Sequence, residues 1–310
     1  MRIAAPHTPR VAPAPRPAGD ESPWRRFASE FAESRIALLG LGLLLILVAI
    51  AIAAPFISPQ NPYDLAQLDV LDSRLEPGEH SSTTARRYWL GTDDQGRDML
   101  SAIFYGLRIS LSVGVASTVI ALAIGLVLGL AAADFGGWVV AAIMRVADIQ
   151  LSFPAILIAL ILLAILGQGV GKIIAALVTV QWAYYARTVR SSALVERQKE
   201  YVEAAQVLAL SQPRIVLRHL LPNCLPPLIV VATVQVAHAI SLEATLSFLG
   251  LGLPITEPSL GLLIANGFQY LLSGKYWISF YPGLALLATI VAINLVADQL
   301  RDVLNPRLKK

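Results

Sequence analysis

IALLGLGLLLILVAIAIAAPF, residues 36–56, holds no charged residue and no polar side chain. At about 1.5 Å of rise per residue, such a run crosses a hydrocarbon core of about 30 Å as one helix. Five further runs are rich in Leu, Ile, Val and Ala with Gly interspersed: residues 109–133, 139–166, 170–185, 225–246 and 283–297. The third is long enough to tilt, and the fourth is short and passes into an amphipathic stretch. None alternates with period two, which disfavours a membrane β-barrel. The predicted fold class is therefore an all-α integral membrane protein with six transmembrane helices.

Composition agrees. Hydrophobic residues make up 56% of the 310 residues and charged ones 15%, and mean hydropathy is +0.64. A soluble chain has too little polar surface to cover that much apolar area. The single cysteine, Cys224, excludes an intrachain disulfide and a multi-cysteine metal cluster. A net charge of +3, scattered along the chain, argues against a nucleic-acid partner. Residues 1–34, with the run PHTPRVAPAPRPAGDESP, read as a disordered cytoplasmic tail. A first span preceded by so many residues is not a signal peptide.

Orientation follows from basic residues. With both termini in the cytoplasm, the cytoplasmic segments hold 17 of the 24 lysines and arginines, as the positive-inside rule requires. The external segments are then 57–108, with eight acidic residues, and 250–282, rich in Gly, Pro and aromatics. The main cytoplasmic segment is a loop over 190–222.

That loop reads VERQKEYVEAAQVLALSQPRIVLRHLLPNCLPPL over 195–228. Tyr201, Ala204, Ala205 and Leu208 recur at helical spacing. Ser211 breaks the run and is placed to cap a second short helix opened by Pro213; Pro222 ends that helix before the next span. Ala204 and Ala205 are expected to share a face that another surface can approach closely, with Glu203 at its edge for register. Glu203-Ala204-Ala205, then Ala209, His219 and Leu221-Pro222, resembles the EAA loop of permease subunits of bacterial ABC importers; Ala209 stands where that family has glycine. Leu90-Gly91-Thr92-Asp93, Gly96-Arg97-Asp98 and Tyr105-Gly106-Leu107-Arg108 resemble the dipeptide/oligopeptide/nickel branch, C-type. So do Met144-Arg145-Val146-Ala147-Asp148, Phe153-Pro154, Leu246 to Gly252 and Asp298 to Asp302.

The resemblance implies a type I importer permease fold, with a core domain of five helices over 109–310 and a coupling helix in the loop. It implies four kinds of partner: a second permease, two cytoplasmic ATPase subunits, an external solute-binding protein and membrane lipid. ATP and Mg would sit on the ATPase partners, with no cofactor on this chain. It places the protein in a bacterial inner membrane, importing dipeptides or oligopeptides; nickel or another small solute is the alternative. A gradient-driven secondary transporter is a rival, but neither an inverted repeat nor charged broken helices are evident.

Other polar residues have two readings each. Arg214 and Arg218 suit lipid headgroups or an acidic partner. His219 reads as a structural histidine rather than a metal ligand. Asp148 is expected to pair with Arg145 on one helical face, hidden from lipid, yet an intramembrane carboxylate is a functional candidate by default. Glu243, with Ser247 beside it, is a candidate for gating, structure or substrate contact. Asp298 and Arg301 suggest a local charge network. Gly125 and Gly129 are spaced for close helix packing, with a subunit interface as the candidate place for it. GQGVGK at 167–172 fails as a phosphate loop, because Leu166 precedes it and Ile173 follows Lys172. No hydrolase triad, GxSxG elbow or HExxH occurs, so no catalytic residue and no metal site are expected.

Overall fold

A computed structural model describes residues 23–304. The chain runs α1 (Pro23–Ala32), α2 (Arg35–Ile57), α3 (Met99–Asp134), α4 (Gly137–Ser152), α5 (Ala155–Leu166), α6 (Val170–Arg197), α7 (Glu200–Val207), α8 (Gln212–Ile215), a π-turn (Val216–Leu220), α9 (Leu221–Phe248), α10 (Leu260–Phe268) and α11 (Trp277–Leu304). Isolated bridges, His80 with Arg87 and Thr92 with Asp98, are the only β pairings among the described residues.

Four helices are long and apolar enough to cross a membrane: Arg35–Ile57, Met99–Asp134, the continuous Gln212–Phe248 and Trp277–Leu304. The expected third span is not one helix. It breaks into α4 and α5, bent by 95°. Pro154 has no N–H to continue the ladder and drives Phe153 into extended backbone, at φ −96° and ψ 146°.

The expected fourth span does not stop at residue 185. α6 runs on to Arg197. It is less apolar than the others because its C-terminal part carries Arg187, Arg190, Glu196 and Arg197. Its largest contact is with α3. Gly125 and Gly129 make that contact possible: a Cβ on either would stand 2.4 Å from the Cβ of Tyr185 or 2.6 Å from that of Val189. The small-residue spacing thus serves packing inside the chain.

Two boundaries also move. α3 begins at Met99, not at residue 109, because Asp98 caps it, accepting from the Ser101 N–H at 2.9 Å. Residues 23–32, expected to belong to a disordered tail, form α1; the rest of that expectation, residues 1–22, lies outside the described residues. Phe27 and Phe31 stack along one side of α1. Phe31 packs with Ala37 and Val296 at the feet of α2 and α11, and Gln299 donates to the Glu30 carbonyl.

Residues 58–98 form a compact lid with almost no regular structure. Asp93 and Arg97, 0% and 1% exposed, pair at 2.6 Å, and Arg97 also donates to the Ile255 carbonyl at 3.1 Å. Trp277 of α11 donates to the Thr92 carbonyl. Desolvation pushes the Asp72 carboxyl upward, but hydrogen bonds from Ser81, Ser82 and Tyr88 together outweigh it and hold the group below its usual value.

Candidate functional site: the loop over 198–222 and its polar base

The loop has its own small core. Val202 and Ala205 under α7 pack with Ile215 and Leu220. Neighbouring helical residues point about 100° apart, so Ala204 and Ala205 do not share a face, contrary to expectation. Ala205 is enclosed, whereas Ala204 faces outward with Glu203, Val207 and Leu208. Val207 and Leu208 are 86% and 73% exposed. Glu203 makes no ion pair among the described residues. The outer face of α7 is thus an apolar patch edged by an unpaired carboxylate, the make-up of a surface that a partner covers.

α7 ends on Ala209 in the left-handed region, at φ +54°. The Leu210 N–H reaches back to the Ala205 carbonyl at 3.2 Å, and the two side chains meet in the loop core. This is a Schellman ending, which ordinarily places glycine at the left-handed position. Ser211 occupies the cap of α8, yet its hydroxyl makes no capping bond; its carbonyl accepts from Arg214 and Ile215 instead. Arg214 and Arg218 are exposed and unpaired among the described residues.

Pro222 does not end a helix. Gln212–Phe248 is continuous, because the π-turn absorbs the missing donor: the Leu221 N–H bonds to the Val216 carbonyl, five residues back. Asn223 Nδ2 donates to the His219 carbonyl at 2.7 Å. The His219 ring is tilted toward Tyr201, with centroids 6.5 Å apart.

Beneath α7 lies a polar cluster that sequence reasoning missed. The Tyr201 hydroxyl donates to Glu196 Oε2 at 2.6 Å and accepts from Asn223 Nδ2 at 3.2 Å. Lys199 Nζ pairs with Glu196 Oε1 at 2.6 Å. Partial burial and the Glu196 carboxylate push the phenol up to about 12, so Tyr201 keeps its proton. One hydroxyl therefore joins the end of α6, the loop helix and the start of α9. No periodic signal marks this cluster, because its members lie on three elements.

The remaining candidates scatter. Asp148 pairs with Arg187 of α6, not with Arg145, which is exposed and unpaired among the described residues. Both partners of that pair are more than half exposed. The α4–α5 break turns α4 so that its polar side meets α6, which same-helix spacing could not reveal. Glu243 is 0% exposed and accepts from Ser110 at 3.0 Å and Ser247 at 2.8 Å, tying α3 to α9. Enclosure leaves it no contact with a substrate in this conformation. Asp298 and Arg301 form no charge network with each other. Both face a cavity of about 1090 Å³ between α6, α9 and α11, lined also by Tyr184, Ser191, Val234 and His238. Among the described residues, no group of three potential metal ligands converges.

Comparison with known proteins gives a consistent result. Residues 121–310 match the family described as binding-protein-dependent transport system inner membrane component. Residues 22–77 match the N-terminal TM domain of oligopeptide transport permease C. A di/tripeptide transport system permease protein of Pseudomonas aeruginosa is 37% identical, with 93% of each chain covered. A glutathione transport system permease protein of Pectobacterium atrosepticum is 34% identical over 93% of this chain and 92% of its own. Among solved structures, an inward-facing MetNI methionine ABC transporter chain shares the fold, with a TM-score of 0.55 and 21% identity, covering 66% of this chain and 97% of that one.

Proposed function

From the premise that this chain belongs to the family of binding-protein-dependent transport system inner membrane components, we propose that it is one permease subunit of an ATP-driven peptide importer. It works beside a second permease, on two cytoplasmic ATPase subunits, and receives cargo from an external binding protein at the lid over 58–98 and the segment over 250–282. The relatives named for dipeptide and glutathione transport support a small peptide as cargo. Counting α4–α5 as one crossing and α6 as another gives six spans, with both termini on the cytoplasmic face of the inner membrane. The positive-inside bias supports that orientation.

The observation that carries the reading is the outer face of α7. It offers Ala204, Val207, Leu208 and an unpaired Glu203 to an ATPase partner, while the Tyr201 cluster fastens the helix to both α6 and α9. ATP and Mg belong to that partner, and this chain performs no covalent chemistry. Closure of the ATPase dimer pulls α7, and the pinned ends of α6 and α9 follow. The free energy comes from the difference in nucleotide affinity between the inward- and outward-facing arrangements.

Gentle detergent extraction of the tagged chain tests this. A second permease and ATPase subunits are expected in the eluate, with hydrolysis stimulated by added binding protein. A chain that emerges alone and supports uptake in ATP-free, gradient-loaded vesicles would return the secondary transporter to first place.

A further inference from the structure

The cavity between α6, α9 and α11 holds polar groups that the coupling loop does not explain. His238 is exposed near the middle of Leu221–Phe248 and has no hydrogen bond or ion pair among the described residues. A titratable side chain at that depth is costly against lipid, and such residues turn toward a protein partner or a water-filled path. His238 shares one side of α9 with Pro227, Val231 and Val234, all facing the same space. At its other end stand Asp298 and Arg301, one turn apart on α11. They are exposed and unpaired among the described residues, whereas Lys199 and Glu196, which also border the cavity, neutralise each other.

We propose that this cavity is the wall of the cargo path contributed by this chain, and that it passes short peptides with both termini free. This rests on the importer reading. Two extended residues place their ends about 7 Å apart. Side chains three apart on a helix start about 5–6 Å apart at Cβ. One acid and one base at that spacing complement an ammonium and a carboxylate held by a dipeptide: Asp298 takes the ammonium, Arg301 the carboxylate. The valines and Pro227 receive apolar side chains without specific demand. His238 meets the cargo deeper in the membrane.

The test uses the assembled importer in proteoliposomes, cytoplasmic face outward, with a charged, membrane-impermeant methanethiosulfonate reagent. Native Cys224 is buried and contributes little background. His238→Cys is the reporter, and Val234→Cys is the second reporter should the first variant fail to assemble. Ile229→Cys, exposed on α9 but away from the cavity, is the control. The reporters are expected to react at least several-fold faster than the control, and millimolar dialanine is expected to slow them several-fold. Dialanine blocked at both termini should give no protection, nor should free dialanine when Asp298→Asn and Arg301→Gln are combined. Reporters that stay unreactive in every nucleotide state, while ATP-driven transfer of peptide from the lumen to the medium continues, would mean that the second permease fills the groove, and the proposal falls. Protection by blocked and free dialanine alike would overturn the assigned roles of Asp298 and Arg301. Uptake by the unlabelled complex that does not need ATP would instead overturn the importer reading, and this proposal with it.

Discussion

The lid over 58–98 and the loop over 198–222 both carry charged motifs and both join membrane helices, yet they are built in opposite ways. The lid hides the charges of its motif: Asp93 and Arg97 are sealed against each other and against the 250–258 turn, while Arg74, Glu76, Glu79 and Arg87 at its rim stay exposed. The loop displays its charges: Glu203, Arg214 and Arg218 stand in the open without partners among the described residues. The lid holds itself together with side-chain hydrogen bonds and little regular structure. The loop holds itself together with four buried apolar residues and a tyrosine, and leaves its outer face unfinished. A charged motif buried in its own chain is a fastening, while one left exposed awaits another surface.

Removing Arg97 should do the most damage. Arg97→Met strands the Asp93 carboxylate in an enclosed site, a loss of about 3–5 kcal/mol, and unfastens the lid from residue 255. The expected result is a sharply lower thermal midpoint of the purified chain or failure to accumulate in membranes. Adding Asp93→Asn should recover part of the loss. A single variant that melts like the wild type would show that the lid does not depend on the pair.

Gly96→Ala comes next. A Cβ there would lie 2.2 Å from the Asp69 carbonyl oxygen, at φ +75°. Overpacking and the left-handed conformation together should cost about 3 kcal/mol, read as a lowered midpoint. If the variant is as stable as wild type, the lid is softer than its hydrogen bonds imply.

Glu203→Arg should show the reverse profile. An exposed, unpaired side chain contributes within about 0.5 kcal/mol to stability, so the melting point should hold. Peptide uptake should fall about tenfold or more, equivalent to ~1.4 kcal/mol of lost coupling, at equal expression. Normal uptake would remove Glu203 from the docking face and with it the main functional contrast between the two regions.

The sequence makes the apolar helices plain, because lipid demands long uninterrupted runs. It also makes the loop plain as a folded element, through the spacing of Tyr201, Ala204, Ala205 and Leu208. It hides what depends on another helix. Asp148 finds Arg187 across an interface, not Arg145 along its own helix. Gly125 and Gly129 prove to be seats for α6. The Tyr201 cluster spans three elements. Pro154 decides the α4–α5 bend, but the apolar run around it reads as one continuous span. In α1, the aromatic spacing of Phe27 and Phe31 is outweighed by the proline-rich sequence before it.

The smallest expected effect falls on Ala209, where the two regions can be compared at one backbone conformation. The lid places glycine at its two crowded left-handed turns, Gly91 and Gly96, where backbone carbonyls press on the site, and a side-chain residue, Arg74 at φ +60°, only at an exposed one. The loop meets its own with alanine at φ +54°, although a Cβ in that region costs about 1–2 kcal/mol. Ala209→Gly relieves that cost but loosens the unfolded chain by about 0.4–1 kcal/mol, so the net gain should lie between about 0 and about 1.6 kcal/mol, with uptake unchanged. Ala209→Val should act the other way, since a β-branched residue is a true outlier at positive φ: the Schellman ending opens, Leu210 leaves the loop core, and uptake falls with only a small change in melting. If valine is tolerated as well as glycine, the ending of α7 is not held in the left-handed form, and the loop transmits motion without a fixed turn at its tip.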